Sequence, residues 1–234
     1  MDHGTTSWLL MLPLLPHDPK YLHVNGAVVV FLIIAVLSVL AKFAIESKVQ
    51  QYVVPQSRFS LVTFIDFVVE MLHNLVVGIL GHHGEKHFPF IASVFMFVFV
   101  SNLLGLLPFG GSPSTSVNTT FALGLCSFIY YHASGVKEHG LLGYGKHFLM
   151  GLGIFGLPIA LLEMVSHVIR PFSLGLRLFV NLFIDHSLVS SFENVCRWLV
   201  PVPLLLFGIM VCTIQAFLFT ILTSVYIQMA TEHE

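Results

Sequence analysis

The stretch Glu163-Met-Val-Ser-His-Val-Ile-Arg-Pro-Phe-Ser-Leu-Gly-Leu-Arg-Leu-Phe-Val-Asn181 sets two arginines, a glutamate and a histidine inside a long apolar run, Phe148 to Phe192. A straight helix of these 45 residues is about 68 Å long, more than twice the ~30 Å hydrocarbon core of a bilayer. Two ordinary spans would place Glu163, His167, Arg170 and Arg177 in or beside lipid-facing helices. An ionisable side chain at that depth costs about 2.5–3.5 kcal/mol on insertion scales. One tilted, protein-packed helix, kinked where Pro158 and Pro171 allow it, houses them at lower cost.

Helical geometry groups these residues. Glu163, Arg170 and Arg177 are spaced i, i+7 and i+14, a drift of only about 40°, so they share a face. His167 lies close to that face, and Asn181, one turn beyond Arg177, is on it. His186 is placed about 180° round the helix from Arg177. An arginine keeps its proton in a protein, so Arg177 cannot relay one. It can hold a carboxylate ionised inside the membrane. Apart from Glu163, no acidic residue of the chain is an obvious partner, so the counter-ion is expected on another protein. Glu163, His167 and His186 can exchange protons, and histidine does so nearest neutral pH. The competing reading makes these groups polar glue between helices. That reading stays open for His167 and Arg170, which stand near an aqueous end. Asp185 and Glu193 are expected to be solvated near the outer surface.

Outward from this stretch the chain is apolar throughout: 56% hydrophobic and 9% charged, with mean hydropathy +0.89. Soluble domains carry about 25% charged residues, so lipid is the expected solvent. The net charge of −2 gives no basic footprint for nucleic acid. Cys126, Cys196 and Cys212 form no CxxC and read as small hydrophobes. The expected fold is all-α and polytopic, a single membrane domain over residues 1–234 with five membrane-embedded helices and one amphipathic interfacial helix. Residues 1–23 form a retained external segment, since Pro13 and Asp2 spoil a signal peptide. The first span is 24–46. The amphipathic helix is 57–81, with Asp66, Glu70, His73 and Asn74 on one stripe. Residues 89–134 form a helical hairpin, and 147–232 a long tilted hairpin that holds the embedded ionisable residues. Polar loops are expected over Gly81 to His87 and from Lys137 to Lys146. With the N-terminus outside, six of the ten basic residues fall on the cytoplasmic side, two outside and two within the fifth segment. The positive-inside bias thus favours N-out and C-in.

The stretch from Glu163 to Asn181 resembles subunit a of the F-type ATP synthase, bacterial type. So do Asn102-Leu-Leu-Gly-Leu-Leu-Pro108, Ile214-Gln-Ala-Phe217 and Leu222-Thr-Ser-Val-Tyr226. The resemblance extends from Val24 to the C-terminus, and its Ser-Leu-Gly-Leu-Arg-Leu-Phe-x-Asn string is highly specific. It implies a proton-translocating stator subunit that forms two offset half-channels against a rotating ring of c subunits and drives its rotation. The implied partners are that c-ring, b-type peripheral stalk subunits and the rest of the synthase, together with protons and membrane lipid, in a bacterial inner membrane in preference to an organellar one. Arg177 then faces the ring carboxylate and separates the half-channels, with Gln215 close to it and Asn181 one turn on. Glu163 matches the outlet carboxylate, and His167 stands on the same path. His186 and Asn118 match the inlet, with Ser116 beside them where other members often have an acid. The histidine that bacterial members often carry seven residues before the glutamine is Gly208 here.

No metal or cofactor is expected, and the chain is not expected to be an enzyme by itself, since it has no GxxxxGK[ST] nucleotide loop. The main alternative is a free-standing proton-coupled transporter or channel, which would conduct alone in liposomes. A haem-carrying subunit, prompted by 13 histidines, needs ligands facing each other across spans, and only His132, His167 and His186 lie near membrane depth. The His82, His83, Glu85 and His87 cluster does not match zinc-ligand spacing.

Overall fold

A computed structural model describes residues 22–46, 61–106, 113–149, 156–193 and 201–231. These form α1 (Leu22–Glu46), α2 (Leu61–Leu80), α3 (Gly84–Leu106), α4 (Val117–Leu149), α5 (Gly156–Glu193) and α6 (Pro201–Thr231), with single 3-10 turns at Gly81–His83 and Pro113–Thr115. Among the described residues every regular element is helical. An unpaired strand edge has no place in lipid, where each backbone polar group must be satisfied internally.

Among the described residues, three helices are apolar and long enough to cross a membrane: His23–Phe43, Gly84–Leu106 and Pro203–Thr231. α1 stands at the margin, with Phe31, Leu32, Leu40 and Phe43 more than half exposed. α2 is amphipathic. Its buried stripe is Leu72, Val76 and Leu80, while Asp66, Glu70 and Asn74 face outward. His73 instead packs edge-on against Phe88, with ring centroids 5.2 Å apart.

α6 runs through the centre of the bundle. Ala216 and Phe219 pack with Leu174 and Leu178 of α5, Leu72 of α2 and Val94, Phe95 and Val98 of α3. Farther along, Ile227 and Ala230 pack with Tyr131 of α4 and with Val76, Leu80 and Ile91. Three of its buried hydroxyls bond within the helix, while the Thr223 hydroxyl is buried without a partner. Thr220 and Ser224 each donate to the carbonyl one turn back at 2.9 Å, and Thr231 does so at 2.8 Å. Such back-bonding lets a polar helix face enter the core without a partner helix supplying acceptors.

The polar stretches at one end are more ordered than loops. Gly81, at φ 58°, takes the left-handed conformation that glycine adopts freely. α3 begins three residues later. A Cβ on Gly84 would meet the Val77 Cα at 2.9 Å, so this turn needs glycine at both positions. α4 stays helical through Lys137, Glu138 and His139, breaks at Gly140 (φ 72°, ψ 163°) and resumes to Leu149. Lys86 pairs with Glu138 here, and that ammonium holds the Glu138 carboxyl below the usual carboxylate range. The lowered pKa means that the pair's contribution is present at neutral pH and fades as pH falls through it. Beside this pair, His87 Nδ1 and the Tyr130 hydroxyl are 3.1 Å apart. His87 is buried, whereas His83 and Glu85 are exposed, so these three do not converge; the His82 side chain lies outside the described ones.

Candidate functional site

The site is built where α5 crosses α4 and α6. Gly175 seats α5 directly on α4: a Cβ there would stand 2.9 Å from the Thr120 carbonyl oxygen and 3.2 Å from the Phe121 Cα. Phe172, one turn before, meets Phe121 edge-on at 4.8 Å between ring centroids. Because the opposing atoms are backbone, neither helix can yield locally. Gly175→Val should therefore cost about 1–3 kcal/mol or more by overpacking. The check is the thermal unfolding midpoint of the purified complex, and an unchanged midpoint would show that the α4–α5 contact is looser than this.

Two residues on, Arg177 stands at the seam between the buried and exposed faces of α5 and is half-buried. Leu174 and Leu178 lie inward of it, and Ser173, Leu176, Val180 and Ile184 face outward. Arg177 lines a closely packed crevice with Leu174, Leu178, Gln215 and Phe219 that leaves no space for a water molecule. Among the described residues no carboxylate pairs with it.

An adjoining small cavity shares Leu178 and Gln215 and is completed by Asn102, Asn181, Leu182, Asp185, Val211 and Cys212. Four of its walls carry a buried polar atom with no hydrogen-bond partner: Asn102 Oδ1, Asn181 Nδ2, Asp185 Oδ2 and Gln215 Oε1. Buried polar atoms are rarely left without a partner. The space left for a water centre here is about 10 Å³, the least that a single water molecule needs. Crevice and cavity thus make a polar strip along the α5–α6 seam, from Arg177 to Asp185. These residues are eight apart, about 12 Å along the helix.

The structure brings Arg177, Asn181 and Gln215 together from two helices. The side chains of Glu163, His167 and His186 lie outside the described ones, although their backbones belong to α5. Ser116 and Asn118 line neither the crevice nor the cavity. Ser116 starts α4, its carbonyl accepting from the Thr119 and Thr120 amides, each at 3.2 Å, and Asn118 is exposed. Asp185 departs from the sequence expectation of an outer, solvated residue: it is half-buried and lines the small cavity. Its spacing held the signal, since it follows Asn181 by four residues and so leaves α5 on nearly the same side. Asn102 was visible only as part of a motif; it is buried in α3 and reaches the same cavity. At Gly208 a Cβ would meet Leu106 Cδ2 at 2.6 Å, so a larger residue there requires the Leu106 side chain to turn aside.

The family model described as ATP synthase A chain matches residues 27–228. ATP synthase subunit a of Bdellovibrio bacteriovorus is 39% identical over 230 residues, covering 97% of this chain and 98% of that one. ATP synthase subunit a of Geotalea uraniireducens is 36% identical over 218 residues, covering 92% of each. ATP synthase subunit a 1 of Pelobacter propionicus is 40% identical over 172 residues, covering 74% of this chain and 75% of that one.

Proposed function

The chain belongs to the ATP synthase A chain family, and from that premise we propose that Arg177 is the fixed cation separating two offset proton half-channels against a rotating c-ring. The observation that supports this most is the half-buried guanidinium at the edge of an apolar face, with no carboxylate of its own among the described residues. That face is broad: Ile169, Leu176, Phe183, Leu206 and Phe207 are exposed on α5 and α6. Such a surface fits burial by lipid or by apolar partner helices, and only a partner can bring the missing carboxylate.

The inlet runs through the polar strip. A proton arriving from outside passes His186 and the water-sized space bounded by Asp185, Asn181, Asn102 and Gln215, with Ser116 and Asn118 at its outer approach. It neutralises a ring carboxylate, which then turns into lipid at little electrostatic cost. A ring carboxylate arriving from the other side gives up its proton through the path near Glu163 and His167, then pairs with Arg177. Asp185 supplies the inlet carboxylate in a design without histidine on α6. Asn181 and Gln215 solvate the guanidinium and keep its pairing weak. The chain has no nucleotide loop and acts within the synthase, held by b-type stalk subunits in a bacterial inner membrane, N-terminus outside and C-terminus cytoplasmic. Family membership disfavours a free-standing transporter or channel.

Purification in mild detergent should bring down a small ring protein with one membrane carboxylate; isolation of this chain alone as a conducting species in liposomes would sink the reading. For the outlet, Glu163→Ala should lower ATP-driven pumping about tenfold or more, as loss of a proton-transfer group does, while Met164→Ala leaves it near wild type. Equal losses in a vesicle pumping assay would point to misfolding instead.

A further inference from the structure

Arg170 has no part in the proton path above. It precedes Arg177 by seven residues on α5, about 20° round the helix, so the two share a stripe. Its guanidinium carbon lies 4.9 Å from the centroid of the Tyr226 ring on α6, within cation–π distance. Tyr226 follows Gln215 by eleven residues, three turns and about 20°, so these two share a stripe as well. In the antiparallel hairpin the stripes meet in order: Arg177 beside Gln215, then Leu174 against Phe219, then Arg170 on Tyr226.

Apolar contacts alone set this register weakly. Ridges of similar side chains repeat every turn, so a slip of one turn, about 5.4 Å, still finds a groove. A guanidinium on a ring has one correct register. The ring is itself held, since Tyr226 packs against both core clusters and its centroid lies 6.0 Å from that of the fully buried Tyr131. We propose that Arg170 is a positioning residue: seated on Tyr226, it fixes the register of α5 against α6 and thereby holds Arg177 at Gln215. The functional consequence rests on Arg177 being the half-channel separator; the register claim does not.

The test uses the whole synthase in vesicles. Tyr226→Phe and Tyr226→Trp, which keep an aromatic face, should pump within about twofold of wild type. Tyr226→Met and Arg170→Met should each lose about tenfold, and the double variant no more than either alone, because both remove one contact. Register is read separately by Leu182→Cys, placed across the shared cavity from the native Cys212, with Cys126 and Cys196 changed to serine. Mild oxidation should join positions 182 and 212 in this background and about tenfold more slowly with Tyr226→Met added, but not with Tyr226→Phe. Additive losses, a Phe variant as poor as Met, or unchanged cross-linking in Tyr226→Met would overturn the proposal. Should Tyr226→Met fail to assemble, Arg170→Met decides by the same cross-linking, since it removes the cation and keeps a long side chain: slowed cross-linking supports the register role and wild-type cross-linking overturns it. Normal pumping by Arg177→Ala would remove the functional reading and leave the cross-linking result standing.

Discussion

Arg177→Ala is expected to reduce ATP-driven proton pumping by the assembled synthase about a hundredfold. Without the guanidinium, a ring carboxylate passing between the half-channels has no counter-charge inside the membrane. An unpaired charge there costs about 2.5–3.5 kcal/mol, and each 1.36 kcal/mol is a factor of ten in rate. The same variant should leak protons, because nothing then keeps the polar strip that ends at Gln215 apart from the outlet path. Arg177→Lys should also pump poorly, by about tenfold, since an ammonium is a compact, strongly hydrated point charge without the planar fork of guanidinium. The pairing must also be weak. The membrane potential supplies about 2.3 kcal/mol per charge per 100 mV, and a tighter ion pair would stall the ring. Inverted vesicles with a pH-sensitive dye read both pumping and leak, and normal coupled pumping by Arg177→Ala would overturn the mechanism.

Asp185→Ala is expected to cut pumping about tenfold, the scale typical for loss of a proton-transfer group, with Asp185→Glu keeping most of the activity and Asp185→Asn behaving like Ala. Among the described residues Asp185 is the one carboxylate in the cavity that also holds Asn102, Asn181 and Gln215. The asparagine variant keeps shape and hydrogen bonding but cannot carry a proton, so it separates proton transfer from packing. Wild-type pumping by both Asp185→Ala and Asp185→Asn would remove this residue from the inlet. A matched loss of assembly in all three variants, seen as absence of the chain from the purified complex, would assign it a structural part instead.

By itself the sequence determined the helical, membrane-embedded character of the chain and the family it belongs to. Both rest on local stretches of sequence. A run of apolar residues has to be helical in lipid because its backbone has no water to bond, and helical periodicity puts Arg177, Asn181 and Arg170 on neighbouring lines of one helix. The motif around Arg177 carried the family. The reading erred at Asp185, which it left in outer solvent, and it had no place for Asn102 in the site. Whether a polar residue near a helix end meets water or a neighbouring helix depends on crossing angle and register, which periodicity does not encode. Only the tertiary structure decided that Asn102 of α3, Asp185 of α5 and Gln215 of α6 border one space. It alone decided that Gly175 brings α5 against the backbone of α4 and that Leu106 fills the space beside Gly208. These are contacts between residues far apart in the chain, set by how close two helix backbones approach, and that approach is fixed by the packing of the whole bundle.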